Sequence, residues 1–295
     1  MRVYLDYQMW DYISKNDSIR QYFDIQKVEK KWRYYISVAH LEELYKAQKN
    51  ENISKSGMTD SLKKTIRSMA ENGVIMPTNH GVDYVPGSYK MASLNVMFFD
   101  TIEIVKERSL FRKELDNNAY NPKNLFEGIK HEKNDEYKIV WKTDRVQHEL
   151  SQLPLFTQHL KQELLSSNNS YVNDMKKIYD QERIEETRNT LIDSLNVEIK
   201  PSIYPAIKND YGKLEIVIEC LYFVLTKCGF KRDGSDKHAI SGTYDIQHSI
   251  CATMCDIFIT NDERFADKFK AVAYYLDIPV QVITWKDIKA KVQRE

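Results

Sequence analysis

The chain has 295 residues, enough to bury a sizeable core in one or two domains. Hydrophobic residues at 42% and charged residues at 29% are ordinary for a globular protein and exclude a chain that is disordered throughout. Lys plus Arg and Asp plus Glu number 43 each, so a polyanion would have to meet a local basic patch, not an overall positive field. The most apolar stretch, Leu214–Leu225, is shorter than a bilayer span and carries Glu215 and Glu219. With a strand predicted at the very start and no signal peptide, the expectation is a cytoplasmic protein without membrane association. Cys220, Cys228, Cys251 and Cys255 form neither a CxxC nor a paired zinc spacing, and are expected as reduced core thiols.

In chain order, Arg2–Leu5 reads as the first strand, ending at Asp6, and Tyr7–Ile13 starts a helix with Trp10 and Ile13 inward. Tyr34–Ile36 is the second strand. Ser37 then caps a helix over Val38–Gln48, whose Leu41, Leu44 and Tyr45 form a buried stripe with Glu43 beside it. Asn50–Gly57 is a polar loop. Met58–Glu71 is a helix with Asp60 as its cap and Gly73 as its stop. Val74–Met76 is a short third strand, followed by a Pro-, Asn- and Gly-rich connection to Pro86 and a helix over Tyr89–Arg108.

From about residue 110 to 208 charged and amide residues dominate. Beyond a loop at Asp116–Asn124, the amphipathic stretches Phe126–Arg145, Thr157–Leu165 and Tyr171–Leu195 predict a helical insertion or cap, either a solvated elaboration or an independent domain. Pro201–Pro205 breaks the helical pattern, and Asp210–Cys228 is a long apolar helix packed on the sheet. Its Glu215 and Glu219, one turn apart, either add acid to a site or face a polar neighbour or water. Gly229–Gly242 reads as a loop carrying Lys231, Arg232, Lys237 and His238. Asp245 then opens a helix with Ile246, Ile250 and Met254 on its apolar face. Ile257–Ile259 is a buried parallel strand, and Thr260-Asn261-Asp262-Glu263 matches a capping box. Phe265–Leu276 is a helix, Pro279–Thr284 the last strand and Trp285–Val292 a closing helix. The expected sheet is mainly parallel, with Leu5, Ile36, Ile259 and Val282 in its strands and helices on both faces.

In parallel α/β sheets, binding sites gather outside the carboxyl ends of the strands. Asp262 stands at such a strand end, where a carboxylate from the preceding helix could join it, and four acids have notable contexts: Asp6, Glu43, Asp245 and Asp262. Their contexts are Val3-Tyr4-Leu5-Asp6, a strand and a Ser followed six residues later by Glu43, and Asp245 before an apolar helix, Cys-Asp, an apolar strand and Thr-Asn-Asp. This order resembles the four-acid site of PIN-domain nucleases. The resemblance covers roughly the first fifty and the last fifty residues, as a discontinuous domain permits, and not the middle. It implies a PIN-like three-layer α/β fold with a mainly parallel central sheet and a large helical insertion. The core would be residues 1–109 and 209–295, and the insertion or cap 110–208. It also implies a metal-dependent nuclease, an endoribonuclease sooner than a DNA nuclease, using Mg²⁺ or Mn²⁺. The partner implied is nucleic acid, with a protein partner or homo-oligomer left open. Small PIN toxins are much shorter, so the long middle region leaves substrate and regulation open.

The chemistry suits such a set. Phosphodiester hydrolysis needs an activated water and charge stabilisation on the attacking and leaving oxygens. Clustered carboxylates repel one another and the substrate unless a hard, oxygen-seeking cation lies between them. A helix N-terminus at Asp245 would favour its ionised form. Each acid alone also has a plain structural explanation, as a cap, a turn residue or a first-turn acid. Glu42 competes with Glu43, but the spacing from Ser37 favours Glu43. Asp256 precedes its strand and is expected away from the metal. Asn261 is expected to orient the Asp262 turn. His40 and His248, each three residues from a proposed ligand, are either phosphate or water contacts or satisfied structural histidines. Lys231 and Arg232 are either phosphate contacts or solvated charge. The competing readings are a catalytically silent PIN-like module that binds RNA or protein, and an aspartate-nucleophile phosphatase. The latter requires a second Asp where Gln8 stands.

Overall fold

A computed structural model describes residues 1–49, 57–70, 73–78, 81–85, 144–166, 173, 176, 180–231 and 236–292. The first half of the described chain runs β1 (Arg2–Leu5), α1 (Tyr7–Lys15), α2 (Asp17–Glu29), β2 (Arg33–Ser37), α3 (Val38–Lys49), α4 (Met58–Met69), β3 (Val74–Thr78) and β4 (Gly81–Val85). Four helices follow: α5 (Asp144–Ser151), α6 (Leu153–Leu165), α7 (Gln181–Ser194) and α8 (Tyr204–Ile207). The chain closes with α9 (Tyr211–Lys227), α10 (Asp236–Ala252), β5 (Ile257–Thr260), α11 (Glu263–Leu276), β6 (Gln281–Thr284) and α12 (Trp285–Val292).

The six strands among the described residues form one sheet in the order β4-β3-β2-β1-β5-β6. Every pairing is parallel except the antiparallel β3–β4 pair. The chain therefore grows outward from β1 on one side and returns to β5 on the other. The strand order reverses at β1, which is where a doubly wound sheet opens a crevice at its carboxyl edge.

Residues alternate faces along each strand and sort the core into two layers. Val3, Leu5, Ile36 and Ile259 pack with Trp10, Leu41, Leu44 and Ile66. Tyr4, Tyr35 and Phe258 pack with Val217, Leu221, Phe265 and Phe269. Burial on both faces explains why β1 and β5 read as continuous apolar runs. Each fully buried Phe or Leu contributes about 1.5–3 kcal/mol through apolar area removed from water. The expected α/β sheet with helices on both faces is thus observed. Val146, Leu153, Ile203, Tyr204 and Ile207, from the middle of the chain, belong to the same buried layer as Tyr4 and Phe258. The described elements of that middle region are helices. Among the described residues no helix is long and apolar enough to cross a membrane.

Several local expectations are corrected. Helix α2 was not predicted; Asn16 caps it by accepting from Ile19 N–H. The connection after β3 contains strand β4. There Gly81 has φ +103°, and a Cβ would lie 2.5 Å from the Lys208 carbonyl oxygen, so the pair's approach to α8 requires glycine. Asp60 lies in the first turn of α4, and Gly57 holds the cap position. Helix α6 begins at Leu153 and α7 at Gln181. Helix α10 begins at Asp236, inside the stretch expected to be a loop, so Asp245 sits in mid-helix. The predicted helix Tyr89–Arg108, the loop Asp116–Asn124 and nearly all of Phe126–Arg145 lie outside the described residues.

Candidate functional site

Asp6 leaves the carboxyl end of β1. Its N–H donates to the Ile259 carbonyl at 2.9 Å, which ties β1 to β5 at their common edge. Its carbonyl accepts from Met9 and Trp10 and so starts α1. Its side chain does not cap that helix. One carboxylate oxygen instead accepts from the Thr260 hydroxyl at 2.7 Å.

Asp262 follows β5 and caps α11. Its Oδ1 accepts from the N–H groups of Arg264 and Phe265. The expected capping box is therefore shifted: Asp262 is the cap, two residues later than Thr260. Thr260 Oγ1 accepts from Asp262 N–H at 3.0 Å, which shapes the turn. Asn261, expected to orient this turn, donates through Nδ2 to the Tyr12 hydroxyl.

Asp245 comes from α10 and Glu43 from α3. All four acids line one cleft of about 460 Å³, together with Tyr7, Tyr244, Lys15 and Lys46. The Lys46 ammonium lies 5.0 Å from the centre of the Tyr244 ring. Four separate segments thus contribute an acidic residue each to the lining of one cleft.

The electrostatics of the cleft follow from burial and crowding. Burial raises the Asp6 pKa to about 6, against the favourable charge of His248 and with the adverse charge of Glu43. Burial also pushes Asp245 well above the usual carboxylate range, and Asp6 and Asp262 push it further. The expectation that a helix N-terminus keeps Asp245 ionised is overturned, because no helix terminus adjoins it.

The two histidines divide. His40 is fully buried and satisfied: Ser37 N–H donates to its Nδ1 at 3.0 Å, and its Nε2 lies 2.7 Å from the Leu5 carbonyl. Nδ1 is therefore the acceptor and Nε2 carries the proton, and burial holds the ring neutral. His248 reaches the site. Its Nε2 lies 2.8 Å from Glu43 Oε2 and its Nδ1 2.6 Å from the Tyr4 hydroxyl. Burial alone would lower its pKa, but the hydrogen bond and charge of Glu43, with Asp6 and Asp245, raise it.

The remaining candidates fall elsewhere. Lys231 pairs with Asp267 at 3.1 Å and does not line the cleft. Arg232 and the side chains of Lys237 and His238 lie outside the described residues. Glu215 accepts from Tyr211 and Gln247, and Glu219 is exposed. The four cysteines are buried and reduced. Asp256 sits at the amino end of β5, bound to the Arg2 guanidinium and N–H at 2.8 Å each.

Tyr4 and Thr260 were not singled out for the site. The signal for Tyr4 was its place on the strand that leads into Asp6. For Thr260 the signal was misassigned to a cap.

The donor set is carboxylate oxygen, which suits a hard cation such as Mg²⁺ or Mn²⁺. Among the described residues no three His, Cys, Asp or Glu side chains stand as a preassembled metal group. In this arrangement Glu43 Oε2 is bonded to His248 and Asp6 Oδ2 to Thr260. No protein-family model, curated protein or solved structure matches this chain.

Proposed function

We propose that the chain is a metal-dependent nuclease of PIN-like architecture, hydrolysing phosphodiester bonds in RNA. The observation that carries this reading is the convergence of Asp6, Glu43, Asp245 and Asp262 on one cleft at the carboxyl edge of the sheet. Burial and crowding raise the pKa of Asp6 and of Asp245, and no apolar packing role requires four carboxylates there. Asp6, Glu43, Asp245 and Asp262 would hold Mg²⁺ or Mn²⁺. When bound, the metal would supply Lewis acidity and an activated water.

The chain's own groups prepare the site. Thr260 holds Asp6 and shapes the Asp262 turn. His248 holds Glu43. The Tyr7 and Tyr244 rings and the Lys46 ammonium at the cleft offer stacking surface and charge to an unpaired strand. The preference for RNA rests on the PIN resemblance.

The test is cleavage of RNA and of single- and double-stranded DNA with Mg²⁺ or Mn²⁺, beside Asp245→Asn prepared in parallel. Metal-dependent cleavage by the wild type and none by the variant is the expected result. Equal cleavage by both would refute the site. RNA binding without cleavage under any metal would favour a catalytically silent PIN-like module.

A further inference from the structure

We propose that His248 is a positioning residue for the metal centre: it is not a ligand, but anchors Glu43 to the rigid β1–β2 edge through Tyr4 and Ser37. This role rests on the nuclease reading above. Glu43 sits half-buried on α3, where a Glu side chain has several rotamers. Its carboxylate is held by an imidazole that is 1% exposed, on a helix 205 residues away in sequence. Both ring nitrogens of His248 are engaged, one by Glu43 and one by Tyr4, so neither is left for a metal or a phosphate.

A continuous chain of hydrogen bonds runs from Glu43 to the β1–β2 edge. His248 Nε2–H donates to the Glu43 carboxylate at 2.8 Å, and its Nδ1 pairs with the hydroxyl of the fully buried Tyr4 at 2.6 Å. The Tyr4 hydroxyl pairs in turn with Ser37 Oγ at 2.6 Å, and Ala39 N–H donates to that oxygen at 3.2 Å. An imidazole held at both nitrogens is fixed in its ring plane, and so fixes the carboxylate it donates to. Partners of this kind fix a ligand's orientation before the metal arrives, and losing them weakens metal binding about 10- to 100-fold.

Mn²⁺ binding to the full chain, read by calorimetry and by the loss of free-ion signal in electron paramagnetic resonance, tests this without substrate. His248→Ala should bind Mn²⁺ about 10- to 100-fold more weakly than wild type. His248→Gln, whose amide N–H can still donate to Glu43, should recover part of that loss. In a Glu43→Gln background, His248→Ala should produce no further change, because the two act through one bond. Wild-type Mn²⁺ affinity in a folded His248→Ala protein would overturn the positioning role. If that variant does not fold, Tyr4→Phe decides, since it removes a single oxygen: unchanged affinity would overturn the role, and weaker affinity at an unchanged Tm would support it. A wild type that binds no Mn²⁺ would instead overturn the metal centre itself.

Discussion

Thr260 Oγ1 donates to Asp6 Oδ2 at 2.7 Å, across 254 residues of sequence. The same oxygen accepts from Asp262 N–H at 3.0 Å, so one buried hydroxyl joins the ends of β1 and β5 where two of the acids emerge. Replacing it by a methyl keeps the volume and removes both bonds. Thr260→Val should lower stability by about 1–3 kcal/mol, the cost of leaving buried polar groups unpaired, and Thr260→Ser should recover most of it. Denaturant unfolding measures this, and a valine variant as stable as wild type would show that the hydroxyl holds neither acid.

Asp245 pays in self-repulsion for its place beside Asp6 and Asp262. Asp245→Asn removes a buried charge without changing shape. The metal-free variant should unfold at the same or a slightly higher temperature than wild type, while RNA cleavage falls to background. A clear drop in Tm would mean that the carboxylate has a structural partner and is not held ready for a cation.

The pH dependence of the metal-free protein has a definite sign. Asp6 has its folded pKa raised from 3.8 to about 6, so the folded state binds this proton more tightly than the unfolded state. Its contribution to stability is full below about 3.8 and is lost as pH rises through about 6. Asp245 and His248 are also shifted upward and act in the same direction. Urea midpoints should therefore fall between pH 4 and 7, and Asp6→Asn should flatten the fall. A wild-type curve already flat over that range would contradict the crowding of acids in the cleft.

Asp256 provides the contrast. It lies at the opposite end of β5 and pairs with Arg2, both side chains being about two-fifths exposed, at 41% and 44%. Asp256→Asn should keep RNA cleavage near wild type and cost about 0.5 kcal/mol, the usual scale of an exposed ion pair. Loss of cleavage at unchanged stability would place Asp256 in the chemistry and require a different site.

Legibility followed the range of the interaction. Strands β1 and β5 and helix α12 were read within a residue or so, because a strand buried on both faces and an amphipathic closing helix are written in consecutive residues. Helix α2 was not: its inward face mixes Phe23 with the polar Gln26, which dilutes the apolar period. The start of α10 differs from the expectation because Gly234 and Gly242 suggest a loop, whereas the helix runs through Gly242.

The four acids could be proposed from sequence alone because each stands in its own local context at a strand end or on a flanking helix. The order of the strands, with β5 beside β1, then brings them to one cleft. What the sequence could not decide was which groups hold them. His248 and Glu43 are 205 residues apart and Thr260 and Asp6 254, and nothing local distinguishes a histidine that orients a carboxylate from one, like His40, that only satisfies a backbone carbonyl. Strand and helix follow from short-range sterics and apolar periodicity. Hydrogen-bond partners and pKa shifts depend on distance in space and on exclusion of water, and those exist only once the sheet has closed.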